Sequence, residues 1–266
     1  MRTRAMLLLP LTLLAWMPPH PAVLPGHVVD IVAGDFFFRA PDTIPAGLTT
    51  LRLRVVRGGH IAVLLRLDSG YTAADLLRSR REGHARPAWV HFLGGPGFPG
   101  SGGTANATLL LTPGNYLLMC DVADEHGVHH FERGMFHPLV VRTATPAAAE
   151  SLPPADAVVT EHDSSFALSG PLHAGQRVLR IVNGGSMMHE FRLVHLLPGH
   201  TLQQSLQWTP QSKSPRPDED VAAIVGLLPG GELETTLQLV PGTYVAFCVA
   251  QFAHGMVQVV NVAPRH

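Results

Sequence analysis

Cysteine is almost missing from this 266-residue chain, which carries only Cys120 and Cys248. Two cysteines cannot build a disulfide framework, so the fold has to rest on a hydrophobic core. Charge is scarce as well. Charged residues make up 15% and the formal net charge is −1, leaving no basic field for nucleic acid or an anionic membrane and no charged tail. Three Trp and three Tyr offer no stacking platform for single-stranded nucleic acid. Common catalytic signatures are absent too: the chain has no Cys-x-x-Cys and no His-Glu-x-x-His, and "GGSMM" is not a nucleophile elbow. Beyond the N-terminal segment no stretch is long and apolar enough to be a membrane helix.

What the chain does have is apolar bulk, turn formers and histidine. Hydrophobic residues are 46%, enough for a sizeable core, and 26 Gly with 23 Pro favour many turns over long helices. Histidine, the commonest side-chain metal ligand, occurs 16 times. At the N-terminus Arg2 and Arg4 precede an apolar run from Ala5 to Met17, followed by Pro18, Pro19 and Pro21. That run is short for a bilayer span and fits an export signal over residues 1–25, with an uncleaved anchor as the alternative. The expected location is therefore periplasmic or extracellular.

The rest of the chain is a duplication. Asp35 stands eleven residues before Ala46-Gly47, and Asp163 eleven before Ala174-Gly175. His60 and His189 each open an apolar strand, and twelve residues later Thr72 and Thr201 begin helix starts, paired with Asp75 and Gln204 as capping boxes. "TPGNYLLMC" then matches "VPGTYVAFC", and Gly134-Met135 matches Gly255-Met256. Coincidences this numerous mean two copies of one fold. Pro- and Ala-rich residues 144–156 read as a linker between residues 26–143 and 157–266. Within each copy, short Val/Leu/Ile/Phe segments alternate with Gly/Pro turns, the pattern of an all-β antiparallel sandwich or barrel. The glycine-rich segment Leu93 to Gly103 reads as a surface loop.

One constellation carries chemistry. The last loop of the first copy, "CDVADEHGVHHFERGM", supplies Cys120, His130 and Met135, and the strand opened by His60 adds a second imidazole. A thiolate and two imidazoles in a plane, with a weak axial thioether, is the donor set of a mononuclear electron-transfer copper. His130 is preferred to His129 for its spacing from Met135. His84, His126, His129 and His137 read as solvated positions. Taken singly, a free Cys is more often a small buried hydrophobe and a Met a gap filler; the joint register with the strands is what points to metal.

The order His60, then Gly114-x-Tyr116-x-x-x-Cys120, then His130-x-x-x-x-Met135 resembles the cupredoxins, among them plastocyanin and the type 1 domain of copper nitrite reductases. The resemblance implies two tandem Greek-key cupredoxin-like β-sandwiches or barrels, with one type 1 copper in the first. It implies an electron carrier or copper handler served by a redox partner protein or a copper donor or acceptor. The Cys-to-His spacing is longer than in plastocyanin. In the second copy the loop is "CVAQFAHGM", and Gln251 stands where plastocyanin-like loops of that length place a histidine. His189, Cys248, His254 and Met256 therefore form a degraded set, with a rearranged site through His254 left open and Met187 and Met188 read as core. No second copper ion is expected. A multicopper oxidase or nitrite reductase relative is disfavoured, because no His adjoins either Cys and no His-x-His pair occurs. A metal-free structural or interaction module is the remaining alternative.

Overall fold

A computed structural model describes residues 23–84, 86–144, 151–209 and 211–265. Most of the export-signal segment and part of the linker lie outside these. The first copy runs through β1 (His27–Gly34), β2 (Phe37–Arg39), β3 (Thr43–Pro45), β4 (Gly47–Val55) and β5 (Val63–Leu67). After α1 (Ala73–Arg81) come β6 (Val90–Phe92), β7 (Gly95–Pro96), β8 (Thr104–Leu111), β9 (Gly114–Met119) and β10 (Phe136–Arg142). The second copy contains β11 (Ala157–His162), β12 (Ser165–Leu168), β13 (Leu172–His173), β14 (Gly175–Asn183) and β15 (His189–Leu196). It closes with α2 (Leu202–Gln207), β16 (Asp218–Leu227), β17 (Glu232–Leu239), β18 (Gly242–Phe247) and β19 (Val257–Ala263).

The all-β class and the duplication expected from the sequence are both present. β1 pairs with β4 as β11 does with β14, β10 with β3 as β19 with β13, and β5 with β9 as β15 with β18. The two helix starts are also as expected. Thr72 with Asp75, and Thr201 with Gln204, close complete capping boxes, each cap stabilising its helix by about 1 kcal/mol. Tyr116 and Tyr244 donate their hydroxyls to the carbonyls of Thr112 and Val240, 2.8 and 3.0 Å away, and so pin the turn that leads into the Cys-bearing strand.

Two expectations need correction. The sheets are mixed rather than purely antiparallel: β1–β4, β3–β10, β11–β14 and β13–β19 are parallel. The reason is topological, since the short excursions β2–β3 and β12–β13 carry the chain across to the facing sheet before it returns. The glycine-rich segment is also not a free surface loop. Gly95 and Pro96 are buried as β7, which pairs antiparallel with β16 of the second copy and extends its sheet to six strands. A β-carbon on Gly95 would sit 2.1 Å from the Ala62 carbonyl oxygen, and one on Gly97 2.8 Å from Val225. Gly95 is pressed against the Ala62 backbone of its own copy, and Gly97 against the Val225 side chain of the second.

A second seam joins the copies on the opposite face. β8 pairs with β17 through Thr108 and Glu234, so one eight-stranded sheet runs in the order β12-β11-β14-β17-β8-β4-β1-β2. The Asn106 amide donates to the Thr236 carbonyl at 2.7 Å and accepts from its N–H at 2.9 Å, replacing ladder bonds across the seam. Against this sheet lie the five-stranded β3-β10-β9-β5-β6 and the six-stranded β13-β19-β18-β15-β16-β7. One continuous core, from Ile31, Leu51 and Leu118 in the first copy to Ile181, Phe191 and Leu233 in the second, fills the space between.

Gly95→Ala is expected to lower unfolding stability by about 2 kcal/mol or more through overpacking against the Ala62 backbone. Gly170→Ala, with nothing within 4 Å of the added carbon, should stay within about 0.5 kcal/mol. Urea denaturation of both variants reads the difference, and equal midpoints would remove the steric constraint at Gly95.

Candidate metal centre

In the five-stranded sheet β9 lies between β5 and β10, and Met119 faces both Val63 and Phe136. One residue further on, Cys120 leaves the central strand. His60 arrives three residues before β5 on one side, and Met135 one residue before β10 on the other. Pairing alone thus brings three of the four expected donors to one end of the sheet.

The fourth comes from the loop between Cys120 and Met135, which folds on itself. The Asp124 carboxylate accepts from the N–H groups of His126 and Val128, both at 2.9 Å, and from Arg133 Nε at 2.6 Å. His130 N–H donates to the Val122 carbonyl and Phe131 N–H to the Cys120 carbonyl, turning residues 130–133 into a single helical turn back over the sulfur. Helix α1 braces the loop from outside: Arg80 holds Asp121 with two bonds of 2.9 and 3.1 Å and stacks over Phe131. Met135 accepts at its carbonyl from Cys120 N–H, 3.2 Å, and donates to the His130 carbonyl, 3.0 Å.

The donor atoms converge. His60 Nδ1 and His130 Nδ1 are 3.2 Å apart, and Cys120 Sγ is 3.9 and 3.5 Å from them. With metal–nitrogen and metal–sulfur bonds of about 2.0 and 2.3 Å, a trigonal centre requires separations of about 3.5 Å between nitrogens and about 3.8 Å from nitrogen to sulfur. The observed triangle fits. Its chemistry fits as well, one thiolate and two imidazoles. Cys120 and Met135 are fully buried, and His130 at 8% is the most exposed of the four.

Electrostatics prepare both imidazoles as neutral ligands. Burial pushes the His60 pKa down, with the neighbouring His130 adding to the effect and the Arg57 carbonyl offsetting part of it. His60 Nε2 makes no well-formed hydrogen bond and is shut away from solvent. Burial also lowers the pKa of His130 and raises that of the Cys120 thiol. Backbone N–H groups of Ile61 and Val122 bond the sulfur and work the other way, favouring the thiolate.

Of the expected solvated histidines, His129 pairs with Asp121 instead of joining the triangle. The sequence reading missed Phe36. It sits at φ 60° in the two-residue turn between β1 and β2, and its ring meets His130 edge-on at 5.1 Å. The signal was an aromatic in a hairpin turn, a backbone position that normally selects Asn or Gly.

The second copy repeats the frame without the full set. His189 Nδ1 lies 4.0 Å from Cys248 Sγ, and Met256 is fully buried with its carbonyl accepting from Cys248 N–H as Met135 does from Cys120. His254 does not join them. It ends a short turn equivalent to residues 130–133, is exposed, and bonds Gln251 through Nδ1 at 2.9 Å. The turn is one residue shorter than in the first copy and begins only four residues after Cys248, and the residue ahead of it is Gln251 rather than a histidine. Met187 is not core either: it is 43% exposed, with its sulfur near the Gln251 amide. Among the described residues, the group of three or more close His, Cys or acidic donors is His60, Cys120 and His130.

Comparison with known proteins gives structural likeness only. No family model and no curated protein matches the chain. Among solved structures, reduced auracyanin from Roseiflexus castenholzii aligns at 19% identity over 40% of this chain and 95% of its own, with a TM-score of 0.29. A blue copper oxidase from Nitrosomonas europaea aligns at 13% identity over 89% of this chain and 85% of its own, with a TM-score of 0.25. A copper-containing nitrite reductase from Thermus scotoductus aligns at 11% identity over 88% and 61%, with a TM-score of 0.24.

Glu161, fully buried on β11, has both carboxyl oxygens without a hydrogen-bond partner, and burial together with Glu190 pushes its pKa up to about 8. From the ordinary 4.5 up to about 8 the folded chain keeps a proton that the unfolded chain has lost. Stability therefore falls as pH rises through that window, by at most several kcal/mol. Urea midpoints of metal-free protein are expected to drop between about pH 5 and pH 8. Glu161→Gln, with no proton to lose, should narrow the drop, and an unchanged drop would assign it to other groups.

Proposed function

We propose that the first sandwich holds a single type 1 copper ion between His60, Cys120 and His130, with Met135 as the axial donor. On this reading the protein carries electrons singly, or hands copper on, outside the cytoplasm. The observation that carries it is the triangle of Nδ1, Sγ and Nδ1 at 3.2–3.9 Å, buried at the end of a braced sheet. Bound there, copper supplies one-electron redox chemistry. The side chains do the rest. The β9 frame and the Asp124-capped loop fix the donors so that little ligand movement accompanies a change of charge. The N–H groups of Ile61 and Val122 offset part of the burial that raises the thiol's pKa, and Phe36 packs edge-on against His130, the most exposed of the four.

A carrier role is favoured over multicopper catalysis by the residues beside the thiol. Met119 and Asp121 flank Cys120, so no imidazole continues from the sulfur to a further copper, and the chain offers no His-x-His pair. The partner is a redox protein or a copper donor or acceptor that docks near His130.

Adding Cu(II) to the protein should give one intense thiolate-to-copper charge-transfer band. Cys120→Ser and His130→Ala should abolish it, and Cys248→Ser and His129→Ala should keep it. Visible and paramagnetic-resonance spectra read each result. A band that survives Cys120→Ser, or wild-type protein that stays colourless, would overturn the assignment.

A further inference from the structure

The second copy retains more of a metal site than its lost histidine suggests. Cys248 Sγ is bonded by the backbone N–H groups of Glu190 and Gln251, as Cys120 is by Ile61 and Val122. His189 is fixed more firmly than His60. Its Nε2 lies 3.1 Å from Asp163 Oδ1, and Asp163 is itself held by Ser186 N–H at 2.8 Å, by the Ser186 hydroxyl at 2.7 Å and by Met187 N–H at 3.3 Å. A carboxylate on Nε2 sets the tautomer that turns the Nδ1 lone pair to the sulfur, the second-sphere arrangement of metal-bound histidines. The equivalent Asp35 instead pairs with Arg57, at 3.4 Å.

Two further features point to a cation. Glu161 is fully buried with both oxygens unpartnered, two residues before Asp163 on the same chain segment and near enough to act on Cys248, where the first copy has Ala33. A buried carboxyl without a hydrogen-bond donor is costly when ionised, so it holds its proton unless a positive charge lies nearby. Gln251, whose backbone N–H bonds the sulfur, links the site to two further donors: its Nε2 lies 3.9 Å from Met187 Sδ, and its Oε1 is bound by His254.

We propose that the second centre binds Cu(I) between Cys248 and His189, with Met256 beneath and Met187 at the entrance, and does not cycle to Cu(II). One thiolate, one imidazole and thioethers form a soft set of low coordination number, which selects Cu(I). With a single imidazole the centre lacks the second nitrogen that the first centre uses. The protein would then hold two coppers of different kinds, one redox-active and one kept reduced beside an exposed methionine and histidine. This site stands apart from the first and is tested with the first removed.

The experiment uses Cys120→Ser protein, Cu(I) held reduced by ascorbate, and bicinchoninate as the chromophoric competitor. One Cu(I) should be retained per chain. Adding Cys248→Ser or His189→Ala should weaken retention at least a hundredfold, and adding Glu161→Gln several-fold, with far-UV circular dichroism showing that each variant is folded. Cu(II) added to Cys120→Ser protein should give no charge-transfer band. Failure of Cys120→Ser protein to hold Cu(I) against the competitor, retention unchanged by both second-site variants, or a Cu(II) thiolate band in it would each overturn the proposal. A variant that unfolds is replaced by Cys248→Ala or His189→Gln under the same criteria.

Discussion

Everything at the first centre depends on where β9 sits. Because it is hydrogen-bonded on both sides, the first residue past its end is met by the entry of β5 from one flank and that of β10 from the other. Cys120, His60 and Met135 are therefore neighbours by virtue of backbone pairing, before any side chain contributes. The Tyr116 hydroxyl fixes the start of the same strand, and the loop bonds to Asp124 and Asp121 fix the chain just beyond its end. A donor set gathered in this way resists rearrangement, because moving one ligand would break ladder bonds.

The second copy shows how much of the frame survives when the loop changes. The strand order, the tyrosine at the turn, the two N–H groups on the sulfur and the buried methionine are all repeated. What differs is the length of chain between Cys248 and Met256 and the partners of His189. A shorter loop brings the Gln251 N–H to the sulfur, while Asp163 takes a stronger hold on the remaining histidine. One architecture thus surrounds two cysteines differently, and the difference lies in a few loop residues and two carboxylates.

The copies are also joined more intimately than a linker would require. They share an eight-stranded sheet at β8–β17, and the first copy lends β7 to the second copy's sheet at β16, with Asn106 and Gly97 fitted against the second copy. Arg192 extends the junction, its guanidinium lying over Phe98 of the first copy and Phe247 of the second. Phe98 N–H in turn bonds the His60 carbonyl, so the junction touches the backbone of a proposed ligand.

The sequence by itself determined the duplication, the all-β class and both helix caps, and it singled out His60, Cys120 and His130, which the fold brings together. Those are local or periodic properties: spacing from His60 to Thr72, a Pro-Gly pair seven residues before each Cys, and alternation along each strand are all written in neighbouring residues. Tertiary structure alone decided the rest. His129 is turned to Asp121, which Arg80 of α1 holds from 41 residues away. Phe36 covers His130 because two distant segments pack together. Gly95–Pro96 becomes a strand because a second copy offers it an edge. Each of these depends on contacts between residues far apart in the chain, and such contacts leave no fixed spacing to be read.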